Sequence, residues 1–301
     1  MHVFVTGASG HIGSAVVDEL HEAGHRVTGL ARSEESAAAL AEKGAAVHRG
    51  DLDDPDSLRA GAAAAEGVIH LAFRHDFDDF AGAVETDLRA VQAMGEVLAG
   101  TGRPFVSTSG TLLLALLGSG AATEQDTLPG GPRVDAENAV IALAERGVRS
   151  SVIRLSPLVH SNLDHHGFAH HLINTARETG VSAYLGDGSN RWPAVHTLDA
   201  AHLYRLALEN APAGTRLHGV ADEGVPFRDI AAVIGRHLGV PVVGIPAEEA
   251  AHFGFLALFA ALDNPTSNAL TRKELDWNPE GPGLLADLDE GHYFTDPGHR
   301  G

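Results

Sequence analysis

Cysteine is absent from all 301 residues, so this chain can build no disulfide, thiolate nucleophile or Cys-ligated metal site. Lysine is nearly absent too, with only Lys43 and Lys273. Positive charge therefore rests mainly on arginine, and 21 basic residues face 40 acidic ones for a formal charge of −19. Such a surface repels phosphate backbones and anionic lipid, which argues against nucleic acid or a membrane as partner. No apolar run reaches the roughly 18 residues that would span a bilayer. The N-terminus shows no charged leader and cleavage site either, because Val3, Phe4 and Val5 run straight into a glycine motif. The expected setting is the cytoplasm. Aromatic residues are sparse at 5%, and the tyrosines are only Tyr184, Tyr204 and Tyr293.

Hydrophobic residues make up 44% of the chain, enough for a sizeable core. In the first half, short apolar strands alternate with Ala-rich amphipathic stretches, the pattern of βαβ units and a parallel sheet. Strands are expected at 2–6, 27–31, 45–49, 68–73, 104–108 and 151–155. Helices are expected to follow the first five, the fifth of them over 133–146. After Pro157 the texture changes: glycine, proline and histidine become frequent and connections lengthen. The expected fold class is α/β, with a Rossmann-type doubly wound parallel sheet over 1–157. A smaller C-terminal substrate-binding region is expected over 158–301, with 217–221 a candidate return to the main sheet.

Thr6-Gly7-Ala8-Ser9-Gly10-His11-Ile12-Gly13 lies between the first strand and the first helix, the context that gives a glycine triplet meaning. Gly7 permits a tight turn, Gly10 lets the backbone approach a pyrophosphate, and Gly13 allows close helix–strand packing. The N–H groups that open the helix then point at phosphate oxygens. At the end of the second strand, NAD sites usually place a carboxylate for the ribose 2′-hydroxyl. Here the residues are Leu30-Ala31-Arg32-Ser33, a guanidinium and a hydroxyl suited to a 2′-phosphate, so NADP(H) is favoured over NAD(H). Asp51 and Leu52 follow the third strand where an adenine edge would lie. Asp51 is equally suited to capping the next helix. Leu71, Ala72 and Phe73 end the fourth strand at the carboxyl edge of the sheet, where ligands bind.

These blocks together resemble the extended short-chain dehydrogenase/reductase family, also described as NAD-dependent epimerase/dehydratases. The resemblance rests on TGASGHIG at 6–13, HLAF at 70–73, FVSTSGT at 105–111, RLSPLVH at 154–160 and RWPAVHTLDAAHLYRLAL at 191–208. It implies a Ser at 109 that holds a substrate oxygen, and backbone contacts from Pro157, Leu158 and Val159 to the carboxamide. It also implies dimerisation through the helices near 83–99 and 133–146. The family's Tyr and the Lys four residues later are missing. Four residues after the tyrosines stand Gly188, Leu208 and Pro297. Aligned on Glu137, Pro129 takes the tyrosine position and Arg133 the lysine position. Arg133 can still bond a nicotinamide ribose, although its pKa is too high for proton donation.

Another group must then carry the proton, and the candidates are Tyr184, His160 and His165, with His166 beside them. The stretch 160–171 is rich in histidine, but 19 histidines are scattered along the chain and no HExxH pattern occurs. The stretch reads as a substrate loop, and no metal is expected. Trp192, Phe168, Leu172, Phe253 and Phe255 are candidates to wall an apolar pocket. Asp199 reads as the N-cap of an Ala-rich helix. The resulting expectation is an atypical NADP(H)-dependent oxidoreductase acting on a carbonyl or alcohol of a small molecule. The alternatives are a nucleotide-sugar epimerase/dehydratase with bound cofactor, and a non-catalytic NADP-binding sensor.

Overall fold

The computed structural model describes residues 1–74, 79–118 and 120–295. The first half contains β1 (His2–Thr6), α1 (His11–Glu22), β2 (Arg26–Ala31), α2 (Glu34–Glu42), β3 (Ala46–Arg49), α3 (Pro55–Ala64), β4 (Gly67–His70), α4 (Phe80–Leu98), β5 (Pro104–Gly110), α5 (Val134–Ala142) and β6 (Arg149–Leu155). The second half adds β7 (Leu158–His160), α6 (Phe168–Thr179), β8 (Ser182–Leu185), β9 (Arg191–His196), α7 (Thr197–Asn210), β10 (Thr215–Gly219), β11 (Asp222–Pro226), α8 (Phe227–Leu238), β12 (Val242–Ile245), α9 (Ala269–Leu275) and α10 (Leu284–Asp289).

Seven of these strands form one parallel sheet in the order β10-β6-β5-β4-β1-β2-β3. Its central strands β1 and β4 are buried on both faces because helices cover both. Val3 and Val5 of β1 pack into one core with Val16 and Leu20 of α1 and Leu203 and Tyr204 of α7. Phe4, pointing the other way, joins Leu58 of α3 and Val91 and Met94 of α4. The strand order reverses between β1 and β4, which opens a crevice at their carboxyl ends.

Local signals place the helices around that crevice. Ser33 caps α2 by accepting from the Ser36 N–H, and Asp54 caps α3 ahead of Pro55. Asp51, the residue read as a possible cap for that helix, instead turns the loop by accepting from the Asp53 N–H. α5 begins at Val134, one residue later than the pattern predicts, and is helical only to Ala142 before a 3₁₀ segment at Leu143–Arg146. Pro129-Gly130-Gly131-Pro132 precedes it and cannot sustain the first turn. Arg133 sits at the N-cap with φ +66, an uncommon left-handed conformation for a non-glycine residue.

The second region has its own core and two small sheets, β11-β9-β7 and β12-β8. Its centre is a chain of aromatic edges: Trp192 against Phe227 at 5.1 Å, and Phe227 against Phe253 at 5.7 Å between ring centroids. α7 and β10 belong physically to the first unit, since β10 is the edge strand beside β6. Among the described residues no helix is long and apolar enough to cross a membrane.

Candidate functional site

The crevice between β1 and β4 is lined by backbone. Gly7 has φ +70, and a Cβ there would stand 2.7 Å from the Ala72 nitrogen. A Cβ on Gly13 would stand 2.0 Å from the Gly7 carbonyl oxygen, so the start of α1 lies directly on the turn. Gly10 is the N-cap of α1 and has no side chain to satisfy the opening N–H groups. Ser9 and Gly10 are exposed at this mouth, while Ile12 turns inward to the core. The result is a bare helix N-terminus over a floor without side chains, the chemistry that accepts a diphosphate.

The flanks extend the fit. Arg32 follows β2, is exposed, and makes no hydrogen bond or ion pair among the described residues. Arg49, across from Ala31 on β3, donates from Nη1 to the Ser33 carbonyl at 2.9 Å and pairs with Glu34. Sequence patterning had not singled out Arg49, because only the β2–β3 register brings it to this corner. Asp51 and Leu52 are half-buried beside it. At the other end Leu71, Ala72 and Phe73 are half-buried at the rim, as is Pro157 at the end of β6. Leu158 and Val159 continue into β7, with Leu158 buried. These features fit a nicotinamide dinucleotide lying across the switch point.

Arg133 closes the crevice at the end of β5. Its Nη2 donates to the Thr108 carbonyl at 3.0 Å, its Nη1 lies 3.4 Å from Asp87 Oδ2, and its guanidinium stacks on Phe73. Nη1 is buried and donates no hydrogen bond of its own. Asp87 in turn accepts from His70 Nε2 at 3.1 Å. That proton leaves His70 Nδ1 to accept from the Thr6 hydroxyl at 2.7 Å, and Thr6 Oγ1 takes the Ala72 N–H at 3.3 Å. A buried chain thus runs from the crevice floor to the Arg133 guanidinium. Sequence pattern alone does not mark Thr6, His70 and Asp87 as site residues. Their strand and helix positions look like core, and only their mutual bonds mark them.

Ser109 is buried at the carboxyl end of β5, its hydroxyl beside the Glu137 carboxylate but without a hydrogen bond of good geometry. Glu137 accepts from Arg154 Nη2 at 2.6 Å and Arg216 Nε at 2.7 Å. Burial alone would raise its pKa. The two arginines, with a lesser contribution from Ser109, hold it below the usual carboxylate range.

Ser109 and Arg133 share the end of β5. The other catalytic candidates are not brought to them. Tyr184 lies in β8, packed over Gly188 and Gly244. His160 is fully buried in β7, with Nδ1 2.8 Å from Asp287 Oδ2. His165 is exposed and sits near His11, whose pKa is lowered chiefly by burial and further by this neighbour. His11 itself bonds Thr197 Oγ1 at 2.7 Å, tying the glycine loop to the second region. His166 precedes α6, and His170 and His171 spend ring nitrogens on the Asp164 and Phe253 carbonyls. Trp192, Leu172 and Phe253 are core rather than a pocket wall, with Phe168 and Phe255 packed against them. Of the five, only Leu172 and Phe253 line a cavity, together with Phe227, Ile230 and Ile234, and it is about 10 Å³, room for one water. Asp199 does not cap α7, a role taken by the His196 ring. Its carboxylate instead accepts from the Glu280 and Gly281 N–H groups.

Fold and site together define a dinucleotide-binding protein of the Rossmann class. Residues 3–218 match the family described as "NAD dependent epimerase/dehydratase family", and the chain belongs to it. The "Uncharacterized protein C2A9.02" of Schizosaccharomyces pombe is 48% identical, over 98% of this chain and 100% of that protein. A "2-alkyl-3-oxoalkanoate reductase" of Stenotrophomonas maltophilia is 28% identical over 81% of this chain and 77% of its own length. Among solved structures, DesIV of Streptomyces venezuelae, a dTDP-glucose 4,6-dehydratase with NAD and TYD bound, superposes with a TM-score of 0.78. It shares 19% identity, covering 97% of this chain and 96% of that one, a likeness of fold.

Proposed function

We propose that this chain is an NADP(H)-dependent oxidoreductase acting on a carbonyl or alcohol of a small organic molecule. The observation that carries the cofactor preference is the free Arg32 guanidinium at the end of β2, where no carboxylate stands to receive a ribose 2′-hydroxyl. Ser33 and Arg49 supply further donors at the same corner. The Gly7–Gly13 backbone holds the diphosphate, and Arg133, whose Nη1 faces Asp87 Oδ2 at 3.4 Å, brings its cation to the end of the crevice that takes the nicotinamide ribose. When bound, the dinucleotide supplies or accepts the hydride.

The chain's own residues stabilise the oxygen that gains charge. The Ser109 hydroxyl, turned from the Glu137 carboxylate beside it, donates to that oxygen, and the Arg133 cation lowers its energy through a partly dry site. Glu137 is held as a carboxylate and is a poor acid. The proton therefore comes from water rather than from a phenol as in the Tyr–Lys arrangement. A reductase named for an oxo substrate among the relatives is consistent with this reading.

Fluorescence titration with NADPH and NADH tests the cofactor assignment, and NADPH absorbance over a panel of aldehydes and ketones tests the reaction. NADPH should bind at least about tenfold more tightly, the value of one charge-assisted contact. Arg32→Ala should remove that preference and leave NADH binding unchanged. Equal affinity for the two reduced nicotinamides in the unaltered chain would overturn the assignment.

A further inference from the structure

A second polar cluster lies on the far side of β7, where α10 ends. Asp287 and Glu290 stand three residues apart at the last turn of α10, and Gly291 reverses the chain with φ +85, a conformation side chains rarely adopt. The reversal brings His292 back over the helix end. One ligand atom from each of Asp287, Glu290 and His292 lies within 4.8 Å of the others. His292 Nε2 is 3.8 Å from Asp287 Oδ2 and is buried without a hydrogen-bond partner.

Behind them sits His160. A carboxylate cannot donate, so the 2.8 Å contact from Nδ1 to Asp287 Oδ2 places the proton on Nδ1. His160 Nε2 is also buried and without a partner, in a side chain 1% exposed. His196 crowds its ring at 5.6 Å between centroids. Two carboxylates and one unpartnered imidazole nitrogen thus gather in one place, and two arginines of this region are committed elsewhere: Arg177 to Asn174 and the Tyr293 and Phe294 carbonyls, and Arg236 to Asp289. Among the described residues no arginine or lysine pairs with Asp287 or Glu290.

We propose that Asp287, Glu290 and His292 form a site for a divalent transition-metal cation of the zinc type, with His160 orienting Asp287 from behind. One imidazole with two carboxylates suits zinc and its neighbours better than calcium or magnesium, which take oxygen ligands in larger number. Ligand atoms around a tetrahedral zinc stand roughly 3.3 Å apart, so closure from the present spacing needs a movement on the order of 1 Å. Three protein ligands leave a fourth position for water. His160 plays the outer role that fixes a ligating carboxylate by hydrogen bond. The bound cation would fasten the turn at His292–Phe294 to α10 and, through Asp287, to the strand that follows Pro157.

The test uses the full chain, stripped with EDTA and freed of chelator. Zn²⁺ is titrated by calorimetry, and Co²⁺ is followed by the visible absorption that four- and five-coordinate cobalt gives. One saturable cation per chain, a higher melting temperature with zinc, and a cobalt spectrum of low coordination number are expected. Glu290→Gln and His292→Gln should each weaken binding about tenfold or more, and His160→Gln by about 10–100-fold. Glu290 is exposed, so its variant tests the proposal even should the buried variants not fold. His21→Gln, on α1, should bind as the unaltered chain does. No saturable binding, or binding that survives both Glu290→Gln and His292→Gln, would sink the proposal and leave His292 as a simple ion-pair partner of Asp287.

Discussion

The guanidinium carbon of Arg133 lies 3.9 Å from the centre of the Phe73 ring, so the cation at the crevice is stacked as well as paired. Stacking of this kind contributes about 0.5–2 kcal/mol. The same group reaches Thr108 and Asp87, and it does so from a backbone with φ +66 that costs about 1–3 kcal/mol. Surrounding contacts over-determine that conformation: a carbonyl, a carboxylate and a ring each take one side of one fork.

Arg133→Ala should therefore destabilise the fold. Asp87 has a side chain 4% exposed and would keep only His70. Losing one member of a buried pair costs about 3–5 kcal/mol, and the remaining histidine places the expectation near 3. Arg133→Lys keeps the charge but not the planar fork, so it should fall between the two. Urea unfolding midpoints measure this. Equal midpoints for the unaltered and Ala chains would show that Asp87 does not depend on the cation.

The first half of the fold was legible because strand, turn and helix signals agree with one another there. Val3-Phe4-Val5 ahead of the glycine triplet, Ser33 before α2 and Pro55 at the start of α3 each act locally. The second region was less legible. Its strands are four to six residues or shorter, and β9 carries Pro193 within it. Of the candidate site, the glycine loop and the place of Arg32 just after β2 could be read directly, since residue order alone puts them there. The chain Thr6–His70–Asp87–Arg133 could not. Its members are 64, 17 and 46 positions apart, and only the parallel register of β1 with β4 and the packing of α4 unite them. The aromatic residues of the second region misled for the opposite reason: a pocket wall and a core have the same composition.

Gly13 should tolerate no side chain. A Cβ there meets the Gly7 carbonyl oxygen at 2.0 Å, and both partners are backbone that cannot turn aside. Gly13→Ala should cost at least the 1–3 kcal/mol typical of overpacking, and it should push α1 off the turn. Dinucleotide affinity, followed by fluorescence titration, should fall more than about tenfold even at temperatures where the variant is folded. Unchanged affinity would mean that the diphosphate does not lie on this loop. By contrast, Gly24→Ala meets nothing within 4 Å and should affect stability only through its φ of +81.

Arg49 should share the cofactor preference with Arg32. Its Nη1 rests on the Ser33 carbonyl, and its ion pair with Glu34 is exposed on both sides, so it is weak and easily exchanged for a phosphate. Arg49→Ala should weaken NADPH by a few-fold and NADH not at all, and Arg32→Ala/Arg49→Ala together should weaken NADPH more than either alone. Salt should reduce the NADPH preference, since both groups are open to solvent. A double variant that loses NADH affinity to the same degree would place these arginines in general folding rather than at the ribose.

Glu137 makes acid sensitivity a property of the site. The carboxylate is 4% exposed, and Arg154 at 2% pairs with no other anion among the described residues. Although burial pulls the carboxyl upward, the arginines hold its folded pKa below the unfolded value of about 4.3. A group shifted downward contributes stability that is complete above the unfolded value and is lost as pH falls through the folded one. The unaltered chain should therefore lose stability steeply below about pH 4. Glu137→Gln should be weaker at pH 7 by about 3–5 kcal/mol, because Arg154 is left buried and unpaired, and its remaining stability should fall less steeply on acidification. Urea unfolding at a series of pH values gives both quantities from one data set. Parallel pH curves for the two chains would move the acid response to other carboxylates and leave Glu137 as a neutral hydrogen-bond acceptor.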